Sequence, residues 1–107
     1  MAIGFTPKHI EDFPLNNLTQ RQFLVLAIET ATKIGWKVGY LSDNGLIGYT
    51  DNGMFSWNAE IKIKIENGVA NIQSASTGSE MMDWGKNKKN IASFIATFEE
   101  LKPTLTK

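Results

Sequence analysis

The chain reads as an α+β domain of two layers: a four-stranded antiparallel meander with two helices on one face. Three observations predict it. Apolar residues recur at helical spacing in two segments, they alternate in shorter segments between those, and Asp-Asn-Gly or Asn-Gly turns separate the shorter segments. The economical way to bury one oily stripe per helix and one oily face of a sheet is to stack them.

Residues 1–18 carry Gly4, Pro7 and Pro14 and read as an extended arm, with room for one short strand near HIEDF. Thr19 and Gln22 have capping-box spacing, so a helix starts there. Phe23, Leu26, Ala27, Thr30, Ala31 and Ile34 form one helical stripe, which Leu24 and Ile28 widen. Gly35 stands where a left-handed cap is expected.

Beyond Gly35 the period changes to alternation. WKVGYLS sets Trp36, Val38 and Tyr40 on one face, and the Asp43-Asn44-Gly45 turn suits a type I′ hairpin into LIGYT. A second DNG, at 51–53, reads as another hairpin turn before MFSWN. The clearest strand is AEIKIKIE, with Ile61, Ile63 and Ile65 on one side and Glu60, Lys62, Lys64 and Glu66 on the other. Asn67-Gly68 closes it onto VANIQSAS. A two-residue loop there pairs Ile65 with Ala70, Ile63 with Ile72, Ile61 with Ser74 and Lys64 with Asn71.

The last element is a helix with the stripe Ile91, Phe94, Ile95, Phe98 and Leu101, ended by Pro103. With the arm counted as a strand, the order is β-α-β-β-β-β-α, similar to TBP-like or helix-grip domains. That similarity is topological and says nothing about function.

Composition bounds the function classes. The 107 residues suit a single domain spanning 1–107, and 42% apolar content with three Trp, two Tyr and six Phe supports a core without staples. Eleven basic residues balance eleven acidic ones, so any charged site is local and no partnership with nucleic acid is expected. The absence of cysteine excludes disulfides and thiolate chemistry and suits a cytoplasmic location. The longest apolar run, FLVLAI at 23–28, is far short of a membrane span, and MAIGFTPKHIEDF lacks the pattern of a signal peptide.

Catalysis and metal binding find little support. His9 is the only histidine and has no obvious partner in sequence, so a nucleophile–base pair would have to be built on it. The DNG turns lack the alternating oxygen ligands of an EF-hand. No metal, cofactor or phosphate-cradling glycine loop is expected. Trp36, Tyr40 and Tyr49 could share a sheet face, but the charges around them alternate in sign, so they read as core rather than as a base-stacking platform.

The segment MMDWGKNKKN, residues 81–90, is the one departure from local rules. Lys86, Lys88 and Lys89 crowd the start of the last helix while Glu99 and Glu100 sit near its end, and both placements oppose the helix dipole. Trp84, Lys86, Asn87, Lys88 and Lys89 are therefore the candidate anion- or partner-binding residues. Helix amides and three ammonium groups would hold a phosphate or carboxylate. The competing reading pairs the lysines with Glu80 and Asp83 or leaves them solvated, with Met81, Met82 and Trp84 packing the loop onto the core.

GFTPKHIEDFPLNNLTQRQFLVLAIETATKIGWKVGY, SWNAEIKIKIENGVANIQSASTG and above all MMDWGKNKKNIASFIATFEELK resemble the soluble N-terminal region of rhomboid-family intramembrane serine proteases from Bacteroidetes-type bacteria. The resemblance runs from Gly4 to about Leu105. In that family the catalytic serine and histidine lie inside membrane helices, which this chain lacks. The resemblance therefore implies a non-catalytic domain at the cytosolic side of the inner membrane. Its implied partners are the membrane-embedded protease domain of the same chain, another protein, or an anionic lipid head group.

Three function classes follow, each with its own discriminator. A regulatory or interaction domain would display an exposed patch near Trp84 and Lys86 to Lys89. A small-ligand or lipid-head-group module would hold a pocket between helices and sheet. An enzyme would bring His9 to a serine or carboxylate in a cleft.

Overall fold

The computed structural model describes residues 8–50, 59–76 and 85–105. The elements are β1 (Lys8–Pro14), α1 (Gln20–Lys33), β2 (Lys37–Ser42), β3 (Gly45–Tyr49), β4 (Ala59–Glu66), β5 (Val69–Ser76) and α2 (Lys86–Leu105). This is the expected α+β order, β-α-β-β-β-β-α, with the arm contributing a fifth strand. The strands form one antiparallel sheet in the order β1-β5-β4-β3-β2.

The central hairpin follows from its turn. Asn67 and Gly68 both take positive φ, 52° and 76°, as a type I′ turn requires. That fixes Ile65 opposite Ala70, Ile63 opposite Ile72, Ile61 opposite Ser74 and Lys64 opposite Asn71. Ile61, Ile63 and Ile65 are all buried. β1 then adds to the free side of β5, and the Leu15 amide donates to the Gly68 carbonyl at 2.9 Å. Pro14 is tolerated because β1 is an edge strand.

α1 begins with the expected capping box: the Gln22 amide donates to Thr19 Oγ1 at 3.0 Å, and the Thr19 amide donates to Gln22 Oε1 at 2.9 Å. It ends with Gly35 at φ 85°, where the Trp36 amide donates to the Ala31 carbonyl at 2.8 Å and the Gly35 amide to that of Thr32 at 3.1 Å. That pair of bonds is a Schellman cap.

Both helices lie on the isoleucine face of the sheet, α1 over β2 and β3 and α2 over β5 and β1. Phe98 of α2 is the hub of the core, with ring centroids 4.8 Å from Phe23 and 5.4 Å from Phe13. Trp36 stacks on Phe94 at 5.8 Å. β4 is a central strand, and its Ile61, Ile63 and Ile65 belong to the same buried core as the helix stripes.

Three local expectations are corrected. β2 carries a bulge between Val38 and Tyr40, which breaks the alternation read from WKVGYLS. Tyr40 is consequently 61% exposed, and Tyr49 stands on the open face too, so neither belongs to the core with Trp36. The Asp43-Asn44 turn has no residue at positive φ and is not type I′. Gly45 is required there for a different reason: a Cβ would lie 2.2 Å from the Ile63 carbonyl oxygen. Finally, α2 continues through Pro103 to Leu105, because proline's own φ is helical. Glu99 and Glu100 therefore precede the last turn, which carries Lys102, and the supposed clash of charge with the C-terminal dipole disappears. The turn at 51–53 lies outside the described residues.

Candidate functional site at the start of the second helix

α2 starts after Gly85, whose φ of 77° is one that glycine adopts freely. Its carbonyl accepts the first helical bond, from the Lys89 amide at 2.9 Å. The start of the helix is then pinned to β5 by side chains. Asn87 is 1% exposed, and its Oδ1 accepts from the Ser74 hydroxyl at 2.7 Å while its Nδ2 donates to Ser76 Oγ at 3.1 Å. Asn90, one turn along, donates to Ser74 Oγ at 3.2 Å. Burying these polar groups costs little because each finds a partner.

The five candidate residues therefore separate. Asn87 is scaffold, turned inward. Lys88 and Lys89 are exposed, and Lys86 is partly buried. Trp84, with the proposed lid of Met81 and Met82 and the acids Glu80 and Asp83, lies outside the described residues. What the geometry brings together is the first turn of a helix, with its outward-facing amides, and exposed ammonium groups. No acidic residue stands in that first turn to offset them. Packing holds the helix start in place instead, through Asn87, Ile91 and Phe94.

The serine network was not anticipated from the sequence, although a signal was present. Ser74 falls on the apolar face of β5, opposite Ile61, and a buried hydroxyl needs a partner. Asn87 and Asn90 are spaced to supply it from one face of a helix.

His9 and Glu11 were also brought together unannounced. Alternate residues of a strand share a face, and His9 Nε2 donates to Glu11 Oε2 at 2.8 Å. Both side chains are partly exposed on the edge strand β1. The serine in register with His9 is Ser74, but its hydroxyl proton goes to an amide oxygen, which is no base. Among the described residues no cluster of three or more His, Asp or Glu could hold a metal ion, and no helix is long and apolar enough to cross a membrane.

No protein-family model matches the chain, and a comparison with curated proteins finds no match.

Proposed function

We propose that this chain is a non-catalytic accessory domain, regulatory or interacting, that serves a rhomboid-family membrane serine protease carried on the same polypeptide. The observation that carries the reading is the commitment of Ser74 and Asn87 to each other. The serine in register with the only histidine holds a helix in place, and that helix presents Lys88 and Lys89 to solvent. This polar network positions a surface, which is what an interaction domain needs.

The test is the full gene product reconstituted in lipid. Removing residues 1–107 leaves peptide-bond cleavage intact but changes its rate or substrate choice by about fivefold or more, the usual size of coupling between sites. A gene product without membrane spans, or an enzyme indifferent to the removal, overturns the proposal.

A second reading, recognition of anionic lipid head groups, is favoured by the exposed lysines at a helix N-terminus. The two readings are compatible, since a domain docked on the membrane surface would set the approach of substrates to an embedded enzyme.

A further inference from the structure

A groove of about 430 Å3 runs between α1 and the edge strand β2, with Leu24, Val25, Ile28 and Leu41 in its lining. Val25 is 44% exposed and Leu41 52%. The two edges of the sheet differ. β1 carries Lys8, Glu11, Asp12 and Pro14, residues that discourage edge pairing. Along β2, the only charged residue is Lys37.

The charges around this apolar centre have a particular order. On α1, Arg21 and Glu29 lie one turn to either side of Val25, and all three are exposed. Just past β2, exposed Asp43 stands with Leu41 at the groove, while Lys37, in register with Tyr49, faces the open side of the sheet. α1 and β2 run in opposite directions, since the Gln20 side chain donates to the Asp43 carbonyl at 2.8 Å at one end and the Schellman turn joins them at the other. One end of the patch therefore holds Arg21 and Asp43, and the other holds Glu29.

We propose that this face pairs with a second copy of the chain about a two-fold axis near Val25 and Leu41. Such an axis sets Arg21 against the second copy's Glu29, a pair that occurs twice, around a shared apolar centre. An isologous contact requires this self-complementarity. The charges of Arg21 and Glu29 cancel, which gives a strongly charged partner little hold, while their order suits an identical surface. The contact is small, so the dimer is weak and concentration-dependent. This pairing does not rest on the accessory role proposed above, and its failure would leave that role untouched.

The test is sedimentation velocity on the chain between about 10 μM and 1 mM. The wild-type chain should dimerise with rising concentration. Val25→Glu should remain monomeric. Arg21→Glu and Glu29→Arg should each weaken the dimer about tenfold, and the two together should restore it. Both charged positions are exposed, so the swapped variant tests the pairing even if Val25→Glu impairs folding. A wild-type chain that stays monomeric to about 1 mM overturns the proposal. So does a dimer that ignores the single reversals, or one that the swap fails to rescue.

Discussion

Ser74 and Asn87 meet at 2.7 Å, hydroxyl to amide oxygen, between the sheet and the first turn of α2, and both are fully enclosed. Replacing Asn87 by alanine removes the acceptor of the buried Ser74 hydroxyl and a donor to the half-buried Ser76. We expect Asn87→Ala to lower stability by about 1–3 kcal/mol. The double variant with Ser74→Ala should lose less than the sum of the singles, by about 0.5–3 kcal/mol. Urea unfolding of the four proteins measures both quantities. Strict additivity would mean that the hydrogen bond contributes nothing on its own.

The lysines at the same helix start make a prediction in two directions. Lys88→Glu and Lys89→Glu each place an anion where the helix dipole favours one, so each should stabilise the domain by about 0.3–1 kcal/mol at low salt. Thermal unfolding at low ionic strength would reveal the gain. A loss of stability would show that these lysines have structural partners.

The same substitutions should weaken binding to anions. Vesicles containing anionic phospholipid, or an inositol phosphate, should shift the backbone NMR signals from Lys86 to Asn90, and neutral vesicles should not. Raising the ionic strength shortens the Debye length from about 30 Å at 0.01 M to about 8 Å at 0.15 M and should reduce the shifts. Signals that stay fixed at low salt would remove the head-group reading.

Gly45 and Gly35 should respond differently to alanine. At Gly45 the new methyl meets the backbone of β4, which cannot move without breaking the ladder, and we expect a loss of about 3 kcal/mol. At Gly35 there is open space and only the positive φ is penalised, at about 1–2 kcal/mol. Denaturant midpoints with unchanged slopes would establish the order, and a reversed order would refute the close-approach account.

Much of this fold was legible in the sequence because turn chemistry and alternation agree around Asn67 and Gly68. A one-residue slip there would have turned Ile61, Ile63 and Ile65 outward, so register and burial fixed one another. The helix stripes and the capping box at Thr19 were legible for the same reason, each being a local rule obeyed. What stayed hidden depends on tertiary contact. The bulge in β2 reverses the faces of Tyr40 and Leu41, and its one cue in KVGYLS is Gly39, a glycine inside a strand pattern. Gly45 looked like a turn glycine because it follows Asp43 and Asn44, yet its requirement comes from a strand many residues away. Asn87 looked like part of a polar surface, and only the position of Ser74 on the apolar face of β5 gave grounds to place it inside.

The strand order also governs how the chain can be assembled. β1 precedes the other strands in the chain, yet among the described residues its only ladder partner is β5, so Lys8 waits for Ala75 before its backbone is paired. During synthesis the opening strand therefore remains without its ladder until the β4–β5 hairpin has left the ribosome, and closing so long a loop is slow compared with forming that hairpin. Nascent chains from which residue 76 has not yet emerged should be open to proteolysis around residues 8–14, and resistance there should appear abruptly once the hairpin is out.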